Sequence, residues 1–173
     1  MSRSAQDDFL QAALPSLDLV YNLARRLVRD PGQLEDLVQE TYLKAFRAWV
    51  EGRRPRKIEP WIATICLNTG RSWLRRASAT REIVTEEPGL ERAPEDVERD
   101  ALKVVEREAL RDALWRLPEE QRIAVALMDL VGFSAAETAR ILGSPRGTVL
   151  SRVHRGHKRL AALLSEEVRE REP

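Results

Sequence analysis

Cysteine is almost absent from this 173-residue sequence: Cys66 is the only one. An internal disulfide and a metal site built from several cysteines of one chain are therefore excluded. No apolar run approaches the roughly 18 residues that a membrane-spanning helix needs, and the N-terminus lacks the apolar core of a signal sequence. We expect a cytoplasmic protein that does not insert into membranes and that holds neither a cofactor nor a metal.

Net charge is also small, because 29 Lys and Arg residues oppose 28 Asp and Glu residues, for a formal charge of +1. This average conceals two blocks of opposite sign. Residues 140–160 contain six Arg or Lys and no acid, whereas residues 82–100 contain eight acids against Arg92 and Arg99. The basic block has the charge that phosphate neutralisation requires, and the acidic block has the composition of a linker that cannot bury enough apolar area to fold.

The spacing around the basic block predicts a helix-turn-helix. Ser134 precedes Glu137 by three residues, which is the capping-box pattern that begins a helix. Gly143 suits the left-handed position after the helix end, and Ser144 with Pro145 is expected to start the next helix as N-cap and first helical residue.

One stripe of this second helix is apolar or small, and its other faces are basic; the stripe comprises Val149, Val153, Gly156, Leu160 and Leu163. Such a helix can pack on one side and present arginines to guanine edges in the major groove on the other. A merely solvated amphipathic helix is the alternative. It is disfavoured because charges on solvated helices usually alternate in sign.

The first half of the chain also has helical periodicity. Leu17, Val20 and Tyr21 begin one packing stripe, and Asp30 with Pro31 begins a later helix, whose acidic and amide face is either solubilising surface or a docking surface. A basic loop follows at 49–58, and Pro60 is expected to begin the next helix.

Two tryptophans and the cysteine share the apolar stripe of that last helix, which also carries several arginines. Aromatic rings interleaved with arginines suit single-stranded nucleic acid. Because Trp61, Cys66 and Trp73 lie on the packing stripe, however, we interpret all three as core residues. The chain is thus predicted to be all-α, with small helical domains at 1–80 and 102–173 joined by a flexible acidic linker at 81–101.

The order of these parts resembles the extracytoplasmic-function (group IV) sigma factors of bacterial RNA polymerase. The resemblance rests on EDLVQETYLKAFRAW at 35–49, PWIATICLNTGRSWLRR at 60–76, LPEEQR at 117–122 and GFSAAETARILGSPRGTVLSRVHRGHKRL at 132–160. It implies a sigma region 2 bundle followed by a sigma region 4 helix-turn-helix. It also implies three partners: core RNA polymerase, promoter DNA and an anti-sigma factor.

Residue by residue, the resemblance implies three sets of contacts. Docking on core polymerase falls to Asp36, Leu37, Gln39 and Glu40. Recognition and melting of the −10 element fall to Ala48, Trp49, Arg53, Arg54, Asn68, Arg71, Arg75 and Arg76. Recognition of the −35 element in the major groove falls to Arg146, Thr148, Ser151, Arg152, Arg155 and Lys158.

Two positions depart from the family pattern. Leu150 stands where the recognition helix commonly has a basic residue, and Ser72 stands where Asp or Asn is usual. At Leu150 one DNA contact is either missing or replaced by an apolar contact with a thymine methyl group. The promoter sequence therefore cannot be transferred from a relative.

Three other functions were weighed against a sigma factor. An enzyme is disfavoured: His154 and His157 could ligate a metal geometrically, but they lie on the expected DNA face with no carboxylate or cysteine nearby in sequence. A stand-alone helix-turn-helix repressor would need a dimer interface or ligand pocket in the first half, which the basic loop fits poorly. An RNA-binding adaptor is the third. A requirement for core polymerase separates all three from a sigma factor.

Overall fold

The computed structural model describes residues 3–80 and 101–171, and every regular element within those ranges is helical. The chain divides into two compact units, 1–92 and 93–173, which we call the N-terminal and C-terminal modules. The predicted linker falls almost entirely at 81–100, outside the described residues. The two-domain, all-α prediction is confirmed.

In the described part of the N-terminal module, residues 3–80, there are four helices and one 3₁₀ turn. They are α1 (Arg3–Ala13), the 3₁₀ turn (Leu14–Ser16), α2 (Leu17–Ala24), α3 (Pro31–Val50) and α4 (Ile58–Thr80). Helices α2, α3 and α4 pack against one another, and their core includes the fully buried side chains of Val20, Leu23, Leu37, Ile62 and Leu67.

Cys66 belongs to this core, as predicted. Its side chain is completely buried, and burial raises the pKa of the thiol to about 12. Because the thiolate is the reactive form of cysteine, this residue is a packing residue.

Local signals account for the start of α3 but not for every boundary. The Asp30 carboxylate accepts a hydrogen bond from the backbone N–H of Gln33 at 2.8 Å, and Pro31 is the first helical residue. Helix α4 begins at Ile58, two residues before the predicted start at Pro60. Proline is tolerated there because the first-turn N–H groups have no partner within the helix.

The predicted packing stripe of α2 is partly wrong. Val20 is buried, but Leu17 and Tyr21 are exposed. Helix α2 instead buries the side occupied by Val20, Leu23 and Ala24.

The C-terminal module consists of α5 (Ala101–Trp115), α6 (Glu119–Val125), a π-helical turn (Ala126–Leu130), α7 (Ala135–Leu142) and α8 (Arg146–Arg171). Helix α8 packs against α5, α6 and α7. The core contains the predicted stripe residues Val149, Val153, Leu160 and Leu163, and Gly156 is buried.

Helix α7 begins and ends as predicted. Ser134 and Glu137 form a complete capping box, and Gly143 adopts the left-handed conformation with φ 59° and ψ 35°. The start of α8 differs from the prediction, because the helix begins at Arg146. The Ser144 hydroxyl accepts a hydrogen bond from Arg152 at 3.1 Å. It therefore contacts a side chain of α8 instead of capping the N-terminus of that helix.

Gly156 marks the closest approach of α8 to α6. A Cβ atom at this position would lie 2.7 Å from the Cγ2 atom of Val125, whereas a Cβ atom at Gly147 would meet nothing within 4 Å. A short, stiff valine cannot move aside as a long side chain could. The inner stripe of α8 therefore needs a residue without a side chain at 156.

Gly156→Ala should destabilise the protein. Overpacking costs about 1–3 kcal/mol, and at 2.7 Å from a stiff side chain this cost should exceed the gain of about 1 kcal/mol from replacing glycine by alanine in a helix. Gly147→Ala is the matched control and should be neutral or stabilising. Urea unfolding of the full chain, followed by circular dichroism, measures both. Equal stabilities for the two variants would contradict the close approach.

Candidate nucleic-acid interface

The outward side of α8 is exposed and basic. Arg146, Ser151, Arg155 and Lys158 are exposed there, as are Leu150 and His154, while Thr148 is half-buried. No acid occurs between Arg146 and Ser165. We call the exposed side chains at 146, 150, 151, 154, 155 and 158 the recognition face. This arrangement suits a helix that enters the major groove, where cations meet phosphates and side chains meet base edges.

Arg152, predicted to contact the −35 element, lies elsewhere. One of its nitrogens forms an ion pair with Glu120 of α6 at 2.8 Å, and another donates to the Ser144 hydroxyl at 3.1 Å. Only 15% of its side chain is exposed. In this conformation the guanidinium binds α6 and the turn instead of projecting with Arg155, and the predicted base contact would require it to leave these partners.

The two histidines of α8 have different surroundings. His154 is exposed, whereas His157 contacts the Asp129 carboxylate of the π-helical turn at 2.5 Å. No carboxylate lies near this pair along the sequence, but the Asp129 carboxylate lies beside His157 in the folded structure. Within the described residues, no group of three or more His, Cys, Asp or Glu side chains could hold a metal ion.

The predicted polymerase-docking set is divided between surface and interior. Asp36 and Gln39 are exposed on α3, whereas Leu37 is completely buried. Leu37 cannot contact a partner in this conformation, because the three- to four-residue helical period turns it toward α2 and α4 with the other core residues of α3. Its place in the docking set is therefore corrected to a core residue.

Glu40 takes part in a polar link between α3 and α4. Its carboxylate forms an ion pair with Lys44 at 2.7 Å and accepts a hydrogen bond from the indole N–H of Trp73 at 2.7 Å. Lys44 also donates to the Thr69 hydroxyl at 3.2 Å. The hydrogen bond from Lys44, with a smaller contribution from Trp73, lowers the pKa of Glu40 below its usual value despite partial burial.

The sequence does not predict this link as a whole. The four-residue spacing of Glu40 and Lys44 was the available signal, since such pairs are neighbours on a helix. The partners on α4 had no such signal. Trp73, predicted to be a core residue, is only half-buried and holds a polar partner, and Trp61 is half-buried as well.

Trp49, assigned to −10 recognition, is part of the core. It is 8% exposed, and its ring centroid lies 5.8 Å from that of Phe9. The Arg54 guanidinium covers the ring at 4.5 Å from its centroid. A base cannot stack on Trp49 while both contacts persist, so the implied −10 role of Trp49 is corrected to a core position.

Other residues of the −10 set remain near the surface. Arg53 and Arg54 are exposed in the loop, where Arg53 pairs with Glu51 at 3.3 Å. Ala48 is half-buried, and its carbonyl accepts the Arg53 N–H at 2.9 Å. This hydrogen bond holds the start of the basic loop against the end of α3.

Helix α4 presents the remaining members of the set. Asn68, Arg75 and Arg76 are exposed, and Arg71 is half-buried. Arg76 bends back along the helix and donates to the carbonyl and hydroxyl oxygens of Ser72 at 3.3 and 3.2 Å. An open cavity of about 350 Å³ beside the Trp73 ring is lined by Val28, Gln33, Leu74 and Arg76. Helix α4 thus carries an exposed amide, Asn68, and the exposed cations Arg75 and Arg76, of which Arg76 lines the cavity with Trp73.

Comparison with known proteins identifies the two modules. Residues 15–80 match the family described as Sigma-70 region 2, and residues 107–160 match Sigma-70, region 4. The chain is 36% identical to the ECF RNA polymerase sigma factor EcfG of Rhodopseudomonas palustris, over 95% of this chain and 87% of that relative. The chain belongs to the extracytoplasmic-function sigma factors.

Two further comparisons agree with this assignment. SigE of Mycolicibacterium smegmatis is 36% identical over 90% of this chain, which spans 64% of that relative's length. The sigma factor RpoE of Bartonella quintana, solved in complex with the anti-sigma factor NepR, gives a TM-score of 0.79 at 29% identity, covering 91% of this chain and 97% of that one. Members of the family are transcription initiation factors and not enzymes. No helix in the described part of this sigma factor is long and apolar enough to cross a membrane.

The link through Glu40 should make stability depend on pH. A carboxyl whose pKa is lowered on folding stabilises the fold above its unfolded pKa, near 4.5, and this contribution is lost as the pH falls through the lower folded value. Glu40→Gln should therefore lower stability at pH 7 by about 1 kcal/mol or less, and the difference should vanish in acid.

Thermal or urea unfolding between pH 3 and pH 7 measures this effect. Glu35→Gln, which removes an exposed carboxylate from the same helix, controls for the loss of one negative charge. A stability difference for Glu40→Gln that is unchanged at pH 3 would contradict a charged Glu40 in the link.

Proposed function

We propose that this sigma factor docks on core RNA polymerase through α3, engages the −10 element with α4 and the 49–58 loop, and reads the −35 element with α8. The observation that carries the proposal is the recognition face, an exposed basic surface with no acid from Arg146 to Ser165. Phosphate neutralisation favours such a surface. The proposed site of action is the cytoplasm, where the polymerase is located.

On α3, the proposed docking contacts are the exposed residues Asp36 and Gln39. Glu40 supports them indirectly, because its carboxylate is held by Lys44 and Trp73. This link connects the docking helix to the helix that carries Asn68 and Arg75. Polymerase binding at α3 and promoter binding at α4 then act through one rigid pair of helices.

On α4, the proposed task is to hold a melted strand. The amide of Asn68 can hydrogen-bond the edge of an extruded base, while Arg71, Arg75 and Arg76 lie near enough along the helix to hold the backbone. Extruding a base costs unstacking free energy, which is recovered when the base is bound.

We also propose that an anti-sigma factor regulates this protein. Support comes from the Bartonella quintana relative, whose structure is a complex with the anti-sigma factor NepR. Such a partner would prevent transcription if it covered the proposed docking contacts of α3 or the recognition face of α8.

Run-off transcription tests the main proposal. The purified protein is combined with bacterial core RNA polymerase on a pool of genomic promoter fragments, and transcript starts are sequenced. We expect starts that share two upstream elements and that vanish when the protein is omitted. Sequence-specific DNA binding by the protein alone, with no polymerase-dependent transcript, would overturn the proposal in favour of a conventional helix-turn-helix regulator.

Arg155 and Arg152 should give different phenotypes on the promoters so identified. Arg155→Ala removes an exposed cation of the recognition face, and loss of a bidentate base contact costs about 1–3 kcal/mol at one base pair. Arg152→Ala instead loosens α8 from α6, so it should weaken all promoters together and lower the stability of the fold.

Glu120→Gln distinguishes these roles, because Glu120 is the ion-pair partner of Arg152. Like Arg152→Ala, it should weaken transcription from all promoters and lower the stability of the fold. It should leave the base preference at the −35 element unchanged. Transcription from a library of −35 variants, together with urea unfolding, gives both quantities. A change of base preference in Arg152→Ala, without loss of stability, would return Arg152 to the recognition face.

Asn68→Ala should impair promoter opening more than polymerase binding. The side chain is exposed on α4, so its loss should leave the fold and the α3 docking contacts intact. Permanganate footprinting of unpaired thymines measures opening, and co-purification with core polymerase measures assembly. A premelted template should rescue the variant. Weakened assembly with normal opening would place Asn68 on the polymerase-facing surface.

A further inference from the structure

Leu150 is an apolar side chain within a surface that is otherwise polar or charged. It is 43% exposed and is the fifth residue of α8. Arg146 lies one turn before it and His154 one turn after it, and both are exposed. The neighbouring Val149 is completely buried in the module core. Leu150 thus belongs to the recognition face and not to the packing stripe.

The position of Leu150 along the helix matters as much as its exposure. In helix-turn-helix proteins the N-terminal residues of the second helix contact base edges. The cations at Arg146, Arg155 and Lys158 favour DNA over a protein partner at this surface, since they complement phosphates. The major groove offers one apolar group to such a side chain, the C5-methyl of thymine.

We propose that Leu150 reads a thymine in the −35 element through that methyl group. This inference rests on the proposed function, because it requires α8 to lie in the major groove of promoter DNA. Within that arrangement, burial of the methyl group against the Leu150 side chain favours thymine, and a base that presents no methyl group loses the contact. A basic residue at this position would instead favour guanine, whose O6 and N7 atoms accept hydrogen bonds.

Substitution of deoxyuridine for thymine removes only the methyl group and therefore isolates this contact. On a promoter identified by run-off transcription, each thymine of the −35 element is replaced singly by deoxyuridine. Initiation by the holoenzyme is then measured at limiting concentration. One position should lose roughly three- to fivefold in activity with the wild-type protein, as expected for a buried methyl group. With the Leu150→Ala variant, replacing that same thymine by deoxyuridine should cause no further loss of activity.

Leu110→Ala is the matched control, because Leu110 is a leucine of similar exposure, 39%, on α5 of the same module. It should keep the wild-type sensitivity to deoxyuridine. Leu150→Arg should shift the preference at the sensitive position from thymine toward guanine. Circular dichroism checks that all three variants fold, as expected for exposed positions.

The outcomes separate this inference from the proposed function. Normal promoter-specific transcription with no deoxyuridine-sensitive position would overturn the inference alone, and so would equal sensitivity in wild type and Leu150→Ala. Failure of the run-off experiment to yield any promoter that depends on both this protein and core polymerase would overturn the proposed function and the inference with it. Loss of binding to an anti-sigma factor by Leu150→Ala, with an unaltered thymine preference, would assign the side chain to a protein contact.

Discussion

The close packing of α8 on α6 is the constraint on which the C-terminal module depends. Gly156 allows the helix axes to approach until Val125 fills the space that a side chain would occupy. This approach fixes the rotation of α8 about its own axis, because Val149 and Val153 must then face the core. The basic side chains project outward as a consequence of that rotation. The recognition face is thus produced by the residues on the opposite side of the helix.

Arg152 adds a polar contact to this apolar constraint. Its ion pair with Glu120 and its hydrogen bond to Ser144 connect α8, α6 and the turn at one point. Apolar packing is non-directional, whereas a forked guanidinium with two partners prefers one geometry. The pair therefore contributes more to the angle of the recognition helix than to overall stability, since exposed ion pairs are individually weak. In the N-terminal module, Glu40 makes a comparable connection, because its carboxylate binds Lys44 of α3 and Trp73 of α4.

The sequence predicts features that depend on near neighbours along the chain. Helix caps at Asp30 and Ser134 and the left-handed glycine at 143 were predictable, because each is a contact across three or four residues. The inner stripe of α8 followed from helical periodicity alone. These local signals were enough to define the fold class and the helix-turn-helix.

Roles that depend on distant residues were not predictable in the same way. Arg152 and Arg155 look alike in sequence, but Glu120, 32 residues earlier, and Ser144 bind the guanidinium of Arg152, whereas Arg155 is exposed. The family resemblance implies a −10 role for Trp49, whereas the structure covers its ring with Phe9, 40 residues earlier, and with Arg54. Leu37 was placed on a docking surface, although the three- to four-residue periodicity shared with Leu34 and Thr41 indicates the core.

The charge distribution explains why such a protein would need polymerase to select a promoter. The electrostatic part of DNA affinity grows with the number of phosphates neutralised, and the recognition face carries three cations, with the exposed Arg140 and Arg159 beside it. A formal charge of +1 adds almost no long-range attraction. Each module alone should therefore bind DNA weakly. Once polymerase holds both modules over one promoter, the second contact forms at a high effective concentration, so that two weak interactions yield one selective interaction.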